Sequence, residues 1–131
     1  MDAELVVNPT KKIVMSSFEK QLDLSGQCAL DIKSGRFSYF TPEFYFEDFE
    51  KFVCDLEAIY KTLEGSAELK FHYESESIKF VATSLGHIEF FGEFIEYGNI
   101  QQTLSCGFGL DQTYLDSFIT QLKKVVLSVY S

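Results

Sequence analysis

The chain has 131 residues, of which 46% are hydrophobic and 24% charged, a composition typical of globular proteins rather than disordered ones. Twenty acidic residues against eleven basic ones give a net charge of −9, and Arg36 is the single arginine. This balance argues against direct binding to nucleic acid or to an anionic membrane, because phosphate recognition needs a basic stripe. It favours a basic protein partner.

Other features of the sequence predict a cytoplasmic location. No stretch approaches the roughly 18 consecutive apolar residues of a membrane span, and the acidic residues 1–4 differ from the basic start of a secretory signal. The three cysteines are odd in number and lack metal-ligand spacing, which suits free thiols in a reducing compartment. Cys28 and Cys106 are predicted to be buried, whereas Cys54 is predicted to be exposed.

Turn signals divide much of the chain into segments in which apolar and polar residues alternate. Residues 27–33, 67–74 and 100–110 show this pattern, which is typical of antiparallel strands with one buried face. Pro42 predicts an edge strand or a bulge, and Gly92 is a second bulge candidate.

The segment 36–46 carries aromatic side chains on both of its faces. It is either a central strand that is covered on both sides, or an aromatic surface presented to a partner. Its aromatic residues are Phe37, Tyr39, Phe40, Phe44, Tyr45 and Phe46.

Two segments change to the period of an amphipathic helix. Apolar residues recur at the same seven offsets from Phe49 and from Leu115, which predicts helices near residues 47–64 and 112–130, each with one core-facing stripe.

Signals for the helix ends accompany these stripes. Glu47 and Asp48 are predicted to place negative charge in the first turn of the first helix. Asp111 is predicted to cap the second helix, and Gly65 to end the first.

The sequence therefore predicts the α+β class: a meander-like antiparallel sheet of about seven or eight strands with two amphipathic helices. The order suggests a β4α-β4α pseudo-repeat with halves 1–64 and 65–131, although any two core-facing helices would share such a stripe pattern. Because no linker separates the halves, residues 1–131 are expected to form a single domain.

Chemical motifs are scarce. The two histidines, His72 and His87, are interpreted as surface or turn residues, and a Gly-x-Gly pair within residues 106–109 lacks the third glycine of a dinucleotide site. The sequence therefore predicts no catalytic, metal-binding or cofactor-binding residues. The residues predicted to contact a partner are the acids outside the apolar stripes, in two groups: Glu47, Asp48, Glu50 and Glu57, and Glu89, Glu93 and Glu96.

Several short segments of the second half carry a family resemblance. They are LEG at 63–65, AEL at 67–69, GHIE at 86–89, GE at 92–93 and LDQTYL at 110–115. Together they resemble the WapI-type immunity proteins, most clearly over residues 27–130. The resemblance implies a cytoplasmic antidote encoded beside a polymorphic or contact-dependent toxin. The best known relative in this family neutralises a toxin that cleaves tRNA. The motif residues are interpreted as cap, turn and core, so the resemblance assigns no binding residue.

The leading hypothesis is thus a non-enzymatic, monomeric immunity protein that binds and neutralises a cognate basic toxin domain, a nuclease of the tRNase or RNase type. One alternative is a small-ligand-binding α+β protein with an aromatic-rich pocket. Another is a carboxylate-dependent enzyme that uses Glu89 and Glu93.

Overall fold

The computed structural model describes residues 1–21, 26–71 and 75–130. Within these residues, eight strands form two four-stranded antiparallel sheets, each with its strands in chain order. The predicted α+β class and meander order are therefore confirmed. The first sheet contains β1 (Ala3–Asn8), β2 (Lys11–Lys20), β3 (Gly26–Ser34) and β4 (Phe37–Phe46), and the second contains β5 (Ser66–Lys70), β6 (Ser77–Ala82), β7 (His87–Glu96) and β8 (Gln102–Asp111).

Each sheet is followed by one helix, in the predicted β4α-β4α order. These helices are α1 (Phe49–Thr62) and α2 (Thr113–Val125), and a π-helical turn (Val126–Tyr130) continues α2. Five of the seven residues of each predicted stripe are buried, as expected for amphipathic helices that pack on sheets. Their buried members are Phe49, Phe52, Val53, Leu56 and Ile59 in α1, and Leu115, Phe118, Ile119, Leu122 and Val125 in α2.

The predicted starts of both helices need correction. Asp48 is the N-cap of α1 in the left-handed conformation and makes no side-chain capping bond, so the acidic residue of the first turn is Glu50. Glu47 and Asp48 lie just before the helix because the chain turns sharply at Asp48. The predicted cap of α2 by Asp111 is wrong, because Gln112 is the N-cap and makes no side-chain capping bond. Asp111 is the last residue of β8, and its Oδ1 accepts the backbone N–H of Thr113 at 3.1 Å.

The helices are exchanged between the two halves. α1 follows the first sheet but packs against β5 of the second, and α2 follows the second sheet but packs against β1 of the first. At the edge of β1, Gln121 Oε1 accepts the backbone N–H of Glu4 at 3.0 Å, and Gln121 Nε2 donates to the Glu4 carbonyl at 3.3 Å. The Gln121 side chain on α2 thus forms the hydrogen bonds that a neighbouring strand would otherwise form at this open sheet edge.

Phenylalanine rings join both helices to the second sheet. The ring of Phe80 lies 6.3 Å from that of Phe52 on α1 and 6.2 Å from that of Phe118 on α2, measured between centroids. All three side chains are buried. One core therefore receives side chains from both halves of the chain.

Pro42 lies both on an edge strand and in a bulge. β4 is the outer strand of its sheet. Between the pair Cys28–Phe44 and the pair Leu30–Thr41, β4 has one residue more than β3. An edge bulge tolerates proline because no ladder hydrogen bond requires its missing N–H.

The bulge predicted at Gly92 is wrong. Gly92 pairs with Ile78 on one side and with Cys106 on the other, with no shift of register. The glycine serves packing instead, because a Cβ at this position would lie 2.8 Å from the ring of Phe94.

The first part of β8 extends beyond the core. Leu104 and Cys106 are half-buried and Ile100 is 79% exposed, so the prediction that Cys106 is fully buried is wrong. As the outer strand of its sheet, β8 has a neighbour on one side only. Cys28 is buried and Cys54 is exposed, as predicted. His72 lies outside the described residues.

Candidate functional site

The aromatic segment of β4 divides into a buried half and an exposed half. Phe44 and Phe46, next to α1, are at most 1% exposed, whereas Phe37 and Phe40 are 61% and 62% exposed. Because β4 is an edge strand, the alternative of a central covered strand is wrong. The buried rings fill the core, and a pocket of about 370 Å³ at that end of β4 is lined by Phe46, Phe49 and Tyr130 together with charged side chains. The ligand-binding alternative therefore stays a prediction.

In the acidic group on α1, Glu57 is engaged inside the protein. Its carboxylate accepts a hydrogen bond from Lys123 of α2 and lies 3.7 Å from Nζ of Lys61. The hydrogen bond from Lys123, supported by the positive charges of Lys123 and Lys61, lowers the pKa of Glu57. Glu57 thus joins the two helices through a salt bridge and is a weak candidate for binding a partner.

The other three acids of this group surround the start of α1. Glu47, Asp48 and Glu50 are exposed. A cleft of about 550 Å³ beside them is lined by both signs of charge, since Lys51 and Lys70 lie among Glu47, Asp48, Asp55 and Glu68. Lys51 is bound to Asp55 at 2.7 Å. The surface at the start of α1 is therefore of mixed charge.

The structure divides the acidic group on β7 between two faces. Glu89 and Glu93 lie on the outer face of the second sheet, with Phe91 between them, since alternate residues of a strand share a face. Phe91 is 45% exposed. Glu96 points to the opposite face, where its charge contributes to raising the pKa of Tyr39 after the larger effects of burial and of Glu76.

The strands beside Glu89, Phe91 and Glu93 differ in what they present. On β8 the directly opposite residues are Gly109, Gly107 and Ser105, and on β6 they are Val81, Lys79 and Ser77. The β8 side has almost no side-chain bulk, so an open trough of about 490 Å³ lies along β7 and β8. We call the outer-face surface of Glu89, Phe91 and Glu93 the β7 strip.

A buried carboxylate, Glu76, was not anticipated from the sequence. It is 6% exposed, and its Oε1 accepts the backbone N–H of Ile95 at 2.8 Å. Burial, followed by the charge of Glu76, raises the pKa of Tyr39, whose ring stacks on Phe94 at a centroid distance of 3.9 Å. Glu76 directly precedes β6, and its carboxylate accepts a β7 backbone N–H at a position where β6 no longer pairs with β7. The role of Glu76 is therefore structural.

The remaining chemically active side chains do not converge. In the described part of the chain, no group of three or more His, Cys, Asp or Glu side chains could hold a metal ion. His87 is exposed at the start of β7, with its ring over Gly109. Burial raises the pKa of the Cys28 thiol, and this disfavours the reactive thiolate. None of the helices that the structure describes has the length and apolar character of a membrane span.

A known protein family matches the sequence over most of its length. The model of the Immunity protein WapI-like family matches residues 12–129. The chain belongs to this family. The resemblance seen in the short segments of the second half is thereby confirmed, and WapI-like membership indicates a toxin-neutralising function with a toxin protein as partner. Comparison with curated proteins and with solved structures gives no match. Both acidic groups lie inside the WapI-like region.

Proposed function

We propose that this chain is a cytoplasmic, non-enzymatic antidote that neutralises a nuclease toxin, of the tRNase or RNase type, by binding it directly. The match to the Immunity protein WapI-like family over residues 12–129 carries the proposal. The nuclease assignment rests on charge: a nuclease needs a basic surface to hold phosphate, and a chain with a net charge of −9 complements such a surface.

The charge also sets how the complex should form. Opposite fields steer association well above the rates of about 10⁵–10⁶ M⁻¹s⁻¹ typical of neutral protein pairs, and salt screens this attraction over a Debye length of about 8–10 Å. We therefore expect association with the toxin to slow markedly between low and high salt, while dissociation changes less.

The test uses the product of the reading frame immediately upstream of this chain, where we expect the toxin domain to be encoded. Cells that express the domain should lose intact tRNA or other RNA and stop growing, and co-expression of this chain should restore both. The purified proteins should form a complex of one copy each, with an association rate that falls with salt.

Two controls define the result. A catalytically inactive toxin domain should still bind, and a toxin domain from an unrelated system should neither bind nor be neutralised. Growth arrest with intact RNA would overturn the nuclease assignment, and failure to bind or protect would overturn the proposed function itself.

A further inference from the structure

The β7 strip combines an exposed ring with two carboxylates that are unpaired within the described part of the chain. Neither Glu89 nor Glu93 makes an ion pair or a side-chain hydrogen bond with any residue that the structure describes. Each carboxylate belongs to a residue two positions from Phe91, so its Cα lies about 7 Å from that of Phe91 along the strand. An aromatic ring thus lies between two negative charges on a nearly flat sheet face.

Two glycines keep this ring uncovered from the β8 side. A Cβ on Gly107, opposite Phe91, would lie 2.3 Å from the Phe90 carbonyl oxygen, and a Cβ on Gly109 would lie 2.8 Å from the His87 ring. The close approach of β7 and β8 therefore requires residues without side chains. As a consequence, the trough beside the β7 strip stays open.

Charges of the acidic group on and beside α1 are compensated to a greater extent. Glu57 is held by Lys123 and Lys61, and Lys51 and Lys70 line the cleft beside Glu47 and Asp48. The trough along β7 and β8 contains no lysine or arginine among its described lining residues. Lys79 lies on the β6 side, directly opposite Phe91 on β7 and opposite Glu68 on β5.

We propose that the β7 strip docks an arginine or lysine side chain from a basic segment of the toxin. The cation would lie on the face of Phe91, where the ring quadrupole attracts it, and Glu89 and Glu93 would supply charge-assisted acceptors on either side. An exposed aromatic residue surrounded by polar groups is also the composition of interface hot spots. This inference rests on the proposed function and adds to it the place of contact.

The experiment compares three variants with the wild type in binding to the catalytically inactive toxin domain. The double variant Glu89→Gln/Glu93→Gln removes both charges, and Phe91→Leu keeps an apolar side chain but removes the ring. The control Glu64→Gln/Asp116→Asn removes the same number of charges at exposed positions outside the strip and outside the predicted partner-binding groups. All four proteins should melt within a few degrees of each other, because none of the substituted side chains is buried.

We expect Kd to rise at least about tenfold for the double variant and about fivefold for Phe91→Leu, as for hot-spot and cation–π contacts. The control should remain within about twofold of the wild type. If both strip variants also bind within about twofold of the wild type, the strip is not the docking site and the inference is wrong.

A second probe separates failure of the strip from failure of the proposed function. If the wild type does not bind the toxin, the proposed function fails, and a hexa-arginine peptide is then titrated into isotope-labelled protein. Cation docking at the strip would be supported by changes in the amide chemical shifts of β7 and β8 that are absent in Glu89→Gln/Glu93→Gln. Shifts confined to the start of α1, or no shifts at all, would overturn it.

Discussion

The side chain of Gln121 forms two hydrogen bonds with the backbone of Glu4, across 117 positions of the sequence. One amide group thus satisfies both the donor and the acceptor that residue 4 presents at the edge of β1. We expect Gln121→Leu to lower the free energy of unfolding by about 1–2 kcal/mol, because it removes both hydrogen bonds to Glu4, together with those to Ser117, but preserves much of the side chain's volume. Urea denaturation measures the change.

Hydrogen exchange gives a site-specific check of the same contact. The amide of Glu4 should exchange faster in Gln121→Leu than in wild type, while amides of β7 should keep their rates. The neighbouring exposed substitution Thr120→Ala is the control. Unchanged exchange at Glu4 would show that α2 does not protect the edge of β1.

The carboxylate of Glu76 should matter as a hydrogen-bond acceptor more than as a charge. Glu76→Gln keeps an oxygen for the Ile95 N–H and should change the free energy of unfolding by less than about 1 kcal/mol. Glu76→Ala leaves that N–H without its acceptor and should cost about 1–3 kcal/mol. Thermal and urea denaturation of both variants test the order, and equal losses would contradict it.

The salt bridge between Glu57 and Lys123 should produce a pH-dependent contribution to stability. The pKa of Glu57 is lowered in the folded protein from an ordinary value of 4.5. Its contribution is therefore present above that value and is lost as the pH falls through the lower, folded value. Glu57→Gln should weaken the dependence of stability on pH below about 5, and high salt should do the same to wild type.

Leu56 and Leu122 lie at the centres of the two buried stripes and are fully buried. Leu56→Ala or Leu122→Ala should lower the free energy of unfolding by about 2–5 kcal/mol, through lost transfer energy and the cavity left behind. Leu127→Ala is a matched control, since this leucine is 73% exposed, and should change stability by less than about 0.5 kcal/mol. A small effect at either buried site would mean that its helix does not pack as described.

The exchange of helices leads us to propose that residues 1–131 unfold as one monomeric domain. Calorimetry should give a single transition with equal calorimetric and van't Hoff enthalpies. The fragments 1–64 and 65–131 should each remain unfolded alone, because each sheet then lacks the helix that covers its first strand. Independent melting of either fragment would contradict this proposal.

Features governed by local chemistry were predictable from the sequence. The two helical stripes follow from a 3.6-residue period, and Pro42 marks an edge bulge because proline lacks an N–H. Gly92 was misinterpreted because a glycine is required there by the neighbouring ring of Phe94 and not by the backbone conformation. Glu96 points to the face opposite to that of Glu89 and Glu93 because successive side chains of a strand alternate between its two faces. Glu96 is an odd number of residues away from both.

Contacts between distant parts of the chain could not be predicted. The partner of Glu57 is Lys123, 66 residues away, and no local pattern connects them. Likewise, Glu76 occupies a turn-like polar stretch, where an exposed carboxylate is the usual outcome. Its burial depends on an N–H that β7 leaves open beyond the end of β6. The candidate site was thus predictable in its residue types but not in which acids remain unpaired.

The exchanged helices also set the order in which the newly made protein can mature. On a translating ribosome the first sheet emerges complete, yet the helix that shields its leading strand is synthesised only after all four strands of the second sheet. Until then the nascent polypeptide exposes an open strand edge, which is prone to intermolecular pairing. A molecule stalled before α2 would therefore be aggregation-prone. The native fold should form only after α2 has been synthesised.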